Sequence, residues 1–168
     1  MKKKIIITGG LGYIGTELCK LYSGTSWHHE IIVVDNRFIS ERVNQIRNWN
    51  MEFIQGDILD KNLIKEHFKD ADVVHHLAGV TDVPRTKSET SNKKDELIKE
   101  VGVKGTQNIL DVISNKCKII FPSTHVVYEG IDEVKKDIQE DEKTKPVLSY
   151  SISKAINEDQ LKKSGKNY

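Results

Sequence analysis

The stretch Lys4-Ile5-Ile6-Ile7-Thr8-Gly9-Gly10-Leu11-Gly12-Tyr13-Ile14-Gly15 decides how this chain is read. Its β-branched opening reads as a short strand, and the spaced glycines read as a tight turn into a helix. Gly9 lets the chain turn at φ values other residues avoid. Gly12 has no Cβ, so the backbone can approach a pyrophosphate, and Gly15 lets helix and strand pack closely. The helix places Ile14, Leu18, Leu21 and Tyr22 on one face. Ile31-Ile32-Val33-Val34 reads as a second strand that ends in Asp35, about twenty residues past Gly15. A glycine turn alone reads equally well as a bare strand-to-helix connection. Strand, turn, helix, strand and terminal acid in this order describe a dinucleotide site. The helix N-terminus offers N–H donors and a positive dipole end to phosphates, and Asp35 accepts hydrogen bonds from the adenosine ribose. A carboxylate there repels a 2′-phosphate, which favours NAD over NADP. Arg37, able to receive such a phosphate, moderates the preference.

Composition narrows the class. At 168 residues one domain is expected. Lys and Arg total 26 against 25 Asp and Glu, a formal charge of +1, which argues against a nucleic-acid footprint. Cys19 and Cys117 are too few for a disulfide framework and have no metal-ligand neighbours. Lys2-Lys3-Lys4 precedes an apolar run far too short for a signal peptide, and no stretch reaches transmembrane length. The expectation is a soluble cytoplasmic protein with no membrane partner.

Strand signals at 4–8, 30–35, 51–55, 72–77 and 117–122 alternate with helix signals near 13–22, 41–47, 60–68, 93–114 and 149–163. Alternation of this kind predicts an α/β fold, a doubly wound parallel sheet with helices on both faces. The charged segment 129–146 and the polar segment 80–92, with Pro84, read as loops. Gly102 and Gly105 inside the helix near 93–114 each cost about 1 kcal/mol relative to Ala. They mark a close approach, a bend or a break there, or are merely tolerated.

A second constellation lies at Ser149-Tyr150-Ser151-Ile152-Ser153-Lys154. Tyr150 and Lys154, four apart, share one helix face, an arrangement that alone is commonplace on surfaces. The strand Lys118-Ile119-Ile120-Phe121 runs out into Ser123-Thr124, and ligands of open parallel sheets bind beyond the carboxyl ends of strands. A hydroxyl, a phenol and an ammonium can therefore converge beside a nicotinamide. His75-His76 is a poor chelate, because neighbours on a strand point to opposite faces; hydrogen-bonded core histidine is the better reading. Trp27 and Trp49 are read as packing residues.

In order along the chain, TGGLGYIG (8–15), Val34-Asp35-Asn36, Gly56-Asp57-Ile58, His75-His76-Leu77-Ala78-Gly79, Gly105-Thr106-Gln107-Asn108, Ser123-Thr124-His125-Val126-Val127-Tyr128 and Tyr150-Ser151-Ile152-Ser153-Lys154 resemble the motifs of the extended short-chain dehydrogenase/reductases, the NAD-dependent nucleotide-sugar epimerase/dehydratase group. The resemblance implies a Rossmann-type fold, NAD as cofactor and a nucleotide-sugar substrate. It implies that Tyr150 is the catalytic acid/base, with Lys154 its partner and holder of the nicotinamide ribose, and Thr124 bonded to the reacting oxygen. The dinucleotide would be held by Gly9, Gly12, Tyr13, Ile14, Gly15, Asp35, Asn36, Asp57, Ile58, Leu77, Ala78 and Gly79, with Tyr150 and Lys154.

The pattern departs from the family at three places. Gly102 stands where the family has Asn, Glu129 where it has Gly after Val-Tyr, and His125-Val126 where sugar dehydratases carry Asp-Glu. The last departure makes the chain more epimerase-like than 4,6-dehydratase-like; His125 reads more readily as a packed residue than as a substitute acid or base. Residues 1–168 correspond to the family's NAD-binding domain, with its C-terminal substrate domain essentially absent. A non-catalytic NAD(P)-binding module and an NADP-dependent carbonyl reductase of the same superfamily are the other readings. Relatives dimerise through the helices near 93–114 and 149–163, so a homodimer is expected, built on Leu97, Ile98, Val101, Ile109, Val112, Ile113, Ile152, Ile156 and Leu161.

Overall fold

Five parallel strands form one sheet in the computed structural model, which describes residues 2–80, 91–132 and 136–168. They are β1 (Lys3–Thr8), β2 (His29–Asp35), β3 (Glu52–Gln55), β4 (Val73–His76) and β5 (Lys118–Ile120), in the order β3-β2-β1-β4-β5. Among the described residues six α-helices connect and flank them: α1 (Tyr13–Ser23), α2 (Ser40–Asn48), α3 (Lys61–Phe68), α4 (Asn92–Lys99), α5 (Gly105–Val112) and α6 (Ser149–Ser164).

The alternation of side chains along β1 builds the two layers. Ile6 joins Ile64, Phe68, Ile109, Ile113 and Leu161 in a core with α3, α5 and α6. Ile5 and Ile7 join Leu11, Cys19, Val43 and Ile46 in a second core with α1 and α2. A central strand buried on both faces needs the unbroken apolar run that its sequence shows.

Three expectations about helices change. On α1 the inward residues are Gly15 and Cys19, with Leu18 and Tyr22 packed beside them, while Ile14 is 60% and Leu21 79% exposed. Gly15 is the cause. A Cβ there would stand 2.6 Å from Gly10 Cα, so the helix is rotated to present its bare side to the turn. The single helix expected near 93–114 is instead α4, a π-helical turn over Glu100–Lys104, and α5. Both glycines there are close approaches: Gly102 faces the Ser153 side chain of α6, and Gly105 faces Ile58. Gly102 O accepts from Thr106 Oγ1 at 2.6 Å and from Asn157 Nδ2 at 3.0 Å, partners that a regular ladder would not need. Ile98, Ile109, Ile113 and Leu161, counted toward a dimer face, are spent in the protein's own core; Leu97 and Ile156 remain exposed.

Smaller corrections follow from local chemistry. β5 stops at Ile120, shortly before Pro122, which has no N–H for a ladder. Past its outer edge, Ile119 N donates to Asn167 O at 2.8 Å. Trp27 does not pack; it is 65% exposed, whereas Trp49 lies against the α1/α2 core. The ends of the 129–146 loop are clipped by Gly130 N to Lys145 O and Lys145 N to Val127 O, both 2.9 Å. Residues 133–135 of that loop and 81–90 of the 80–92 loop lie outside the described residues.

The helix assignments are checked by truncation. Ile64→Ala, at a fully buried position, is expected to cost about 2–5 kcal/mol of unfolding free energy. Leu21→Ala is expected to stay within about 0.5 kcal/mol. Denaturant midpoints measure both.

Candidate functional site

The strand order reverses between β1 and β4, and the crevice beyond the carboxyl ends of those strands is where an open α/β sheet takes a ligand. The turn at the end of β1 forms one wall. Gly9 has φ +67°, and a Cβ on it would lie 2.7 Å from Ala78 N. Its N–H is tied to Val34 O at 2.8 Å. Gly12 caps α1 without any side-chain hydrogen bond, and a Cβ on it would lie 3.0 Å from Gly9 O. The first-turn amides of α1 are thus left for a ligand, between the exposed side chains of Tyr13 and Ile14.

Asp35, buried at the end of β2, accepts from Leu11 N at 3.0 Å, so it also shapes the turn. Its other oxygen accepts from Arg37 N at 3.0 Å and Arg37 Nε at 3.2 Å. Arg37, read as a phosphate receiver, is in place as the partner of Asp35. Arg42 Nη1 donates to Leu11 O. Asn36 Nδ2 reaches Asp57 Oδ2 at 3.4 Å, and Asp57 Oδ1 accepts from Leu59 N at 2.9 Å. Ile58 differs from its neighbours on this rim: its side chain is in the core, and its carbonyl accepts from Asn108 Nδ2 at 3.1 Å.

Leu77, Ala78 and Gly79 leave β4 beside Gly9. Their place is fixed by Thr8, whose Oγ1 accepts from Leu77 N at 3.2 Å and Ala78 N at 3.1 Å. The same hydroxyl meets His76 Nδ1 at 2.9 Å, and His76 Nε2 meets Thr106 Oγ1 at 3.0 Å. Burial, and then the Lys154 ammonium, push His76 down to about 3, so the ring is neutral at neutral pH. His75 points to the other face, bonded to Tyr22 OH at 2.8 Å. Both histidines are hydrogen-bonded, and no metal-binding cluster occurs among the described residues.

Tyr150 and Lys154 stand on the face of α6 toward the end of β5. Lys154 Nζ donates to Pro122 O at 3.0 Å, lies 4.2 Å from the Phe121 ring centroid and 5.8 Å from that of Tyr150. Burial pushes this ammonium down to about 8, against the opposing pull of Glu158. Burial pushes the Tyr150 phenol up from the ordinary tyrosine range, not down. Thr124 Oγ1 accepts from Val126 N at 3.4 Å and opens a 3₁₀ turn. Ser123 Oγ donates to Glu158. His125 is exposed, not packed. Sequence reasoning gave no role to Thr8 and Thr106, which it quoted only within motifs, or to Glu158, and it noted Glu129 only as a departure from the family. Thr8 and His76 are register partners across β1 and β4, a pairing that only the strand order reveals. A separate charged depression, with Lys2, His29, Arg47 and Glu52, lies at the amino ends of the strands, away from this crevice.

The sequence profile described as the NAD dependent epimerase/dehydratase family matches residues 5–168. A UDP-N-acetyl-alpha-D-glucosaminuronate decarboxylase of Bacillus cytotoxicus is 38% identical over 130 residues, covering 76% of this chain and 38% of the relative. A UDP-glucose 4-epimerase of Neisseria meningitidis serogroup C is 30% identical, covering 92% of this chain and 46% of its own. Among solved structures, UDP-glucuronic acid 4-epimerase from Bacillus cereus, in complex with UDP-glucuronic acid and NAD, superimposes with TM-score 0.78 at 27% identity. The match covers 98% of this chain and 53% of that one. UDP-glucose 4-epimerase from Brucella ovis, in complex with NAD, gives TM-score 0.77 at 27% identity, over 96% and 47% of the two chains. The chain thus spans about half or less of the length of these proteins.

The depressed Lys154 value has a sign that can be tested. Between about 8 and 10.5 the unfolded chain holds a proton that the folded chain has lost, so this group's contribution to stability rises with pH through that window. The difference in urea midpoint between wild type and Lys154→Met is expected to move in the wild type's favour from about pH 8 to about pH 10.5.

Proposed function

The chain belongs to the NAD-dependent epimerase/dehydratase family, and from that premise we propose that residues 1–168 are the NAD-binding part of an oxidoreductase that epimerises a nucleotide sugar. The observation that carries the reading is the linkage between two halves of one crevice. His76 is bonded to Thr8, which leads directly into the glycine turn, and it feels the charge of Lys154 on the helix that carries Tyr150.

The residues present fit NAD. The cradle at Gly9 and Gly12 is one that a Cβ would fill, and the uncapped amides of α1 suit the pyrophosphate. Asp35 suits the adenosine ribose, Asn36, Asp57 and the Ile58 backbone the adenine, and Leu77, Ala78 and Gly79 the path toward the nicotinamide. When bound, the dinucleotide supplies hydride acceptance and return. Tyr150 takes the proton of a sugar hydroxyl and gives it back, Thr124 holds the oxygen concerned, and Lys154 holds the nicotinamide ribose. The phenol is set against this task by its own burial, so its ionisation near neutral pH needs positive charge placed beside it. His125-Val126 after Thr124 supports epimerisation over 4,6-dehydration, since neither residue is a carboxylic acid.

A non-catalytic dinucleotide-binding module is the second reading, favoured by the upward push on Tyr150 and by the bond of Lys154 to Pro122 O. Leu97 and Ile156, exposed on α4 and α6, support a homodimer through those helices. Two buried free thiols, Cys19 pushed up to about 12 and Cys117 to about 11 by burial, suit a reducing cytoplasm. No helix among the described residues is long and apolar enough to cross a membrane.

Titration calorimetry is expected to give tighter binding of NAD+ than of NADP+, with Asp35→Ala relaxing the difference. Equal or tighter binding of NADP+ would show that Arg37 outweighs Asp35. Tyr150→Phe is expected to leave NAD+ affinity within about twofold. In any preparation that turns over a UDP-sugar it lowers kcat by about 10²–10⁴-fold. Unchanged turnover would remove Tyr150 from the chemistry and favour the second reading.

A further inference from the structure

Glu129 stands outside both the glycine turn and the Tyr150/Lys154 helix, yet its carboxylate organises the start of that helix. α6 opens on Leu148, whose side chain has no acceptor to offer the first turn. Glu129 Oε1, from nineteen residues upstream, instead holds the two amides that lead into the helix and one first-turn side chain: it accepts from Leu148 N at 2.7 Å and Val147 N at 2.9 Å, and Ser151 Oγ contacts the same oxygen. Ser151 is fully buried, and its hydroxyl in turn accepts from Leu148 N at 3.2 Å, one half of a capping box. The carboxylate also sits at the positive end of α6. Burial acts to raise the acid, but the bonds from Ser151, Leu148 and Val147 outweigh it and hold Glu129 below the usual carboxylate range.

The segment that carries Glu129 is itself held in place. Gly130 N donates to Lys145 O and Lys145 N to Val127 O, so residues 127–130 and 145–148 run side by side into α6. Tyr150 lies between Leu148 and Ser151, two of the three residues that Glu129 grips, and Lys154 lies one turn further on. The family pattern has glycine after Val-Tyr, so this grip comes from a residue that distinguishes the chain.

We propose that Glu129 is a positioning residue: by hydrogen bonds accepted at Oε1 it sets the rotation and height of the first turn of α6, and so the placement of the Tyr150 phenol and the Lys154 ammonium. The proposal rests on the reading of Tyr150 as the acid/base. Glu129→Gln keeps an acceptor at this place, whereas Glu129→Gly restores the family's residue and removes it.

The test is an ultraviolet tyrosinate titration of the 168-residue chain with and without saturating NAD+. Subtracting the same titration in Tyr150→Phe isolates the Tyr150 phenol. In the wild type, NAD+ is expected to lower the Tyr150 pKa by about one unit or more. Glu129→Gln should keep most of that shift and an NAD+ affinity within about twofold. Glu129→Gly should lose at least half of the shift and bind NAD+ about three- to tenfold more weakly, because Lys154 rides on the displaced helix. A Glu129→Gly protein that binds and titrates like the wild type would overturn the proposal. So would equal damage in both variants, or a Glu129→Gly chain that fails to fold, since the contact would then serve net charge or the fold as a whole. No NAD+-induced shift in the wild type would instead overturn the role of Tyr150, which separates the two failures.

Discussion

The hydroxyl of Thr8 fixes the direction of every proton in the bridge between the glycine turn and the far side of the site. It accepts from the amide of Ala78 and shares that of Leu77 with the Thr8 carbonyl, which leaves its single proton for the bare Nδ1 of a neutral His76. The ring then carries its hydrogen on Nε2 and donates to Thr106, whose proton goes on to Gly102 O. Each member has one consistent role when the imidazole in the middle is neutral, whereas a charged ring would aim a donor at Thr8 as well. Burial and the Lys154 charge hold the ring neutral. Removing one member strands a buried partner, at about 1–3 kcal/mol for each polar group left unpaired. The bridge therefore couples three things that local sequence treats separately: the exit of β4, the π-helical turn, and, through Asn157 on Gly102 O, helix α6.

The burial around Tyr150 and Lys154 acts in one sense. Taking charge out of water favours the uncharged form of each group, and it lowers Lys154 while raising Tyr150. At neutral pH the ammonium survives and the phenol stays protonated. A cation brought next to the phenol works against that bias and gains strength from the same poor hydration, since Coulomb interactions weaken least where water is scarce.

What the sequence made legible was local. The β-branched run of β1, the spacing of the glycines, the acid at the end of β2 and the four-residue step from Tyr150 to Lys154 each depend on near neighbours, and the strands and most helices lie where those signals put them. What it hid depends on contacts between distant segments. The buried face of α1 is set by the nearness of Gly15 to Gly10, not by the apolar count, so Ile14 and Leu21 turn outward. The π-helical turn at Glu100–Lys104 holds Gly102 against the Ser153 side chain of α6, a contact between segments about fifty residues apart. The Thr8–His76 pair needs β1 beside β4, and the grip of Glu129 needs a loop to return to its own start. Neither leaves a mark within a few residues of itself.

The pairing of Asp35 with Arg37 changes how ionic strength acts on ligand exchange. In the proposed NAD-binding reading, a ribose bonded to Asp35 competes with the Arg37 guanidinium, which is 57% exposed. Added salt screens that pair and loosens the competitor, while it also weakens the attraction of the α1 terminus for phosphate. On that proposed reading the two effects oppose each other, and binding is expected to depend less on salt than it would with a free carboxylate at the end of β2.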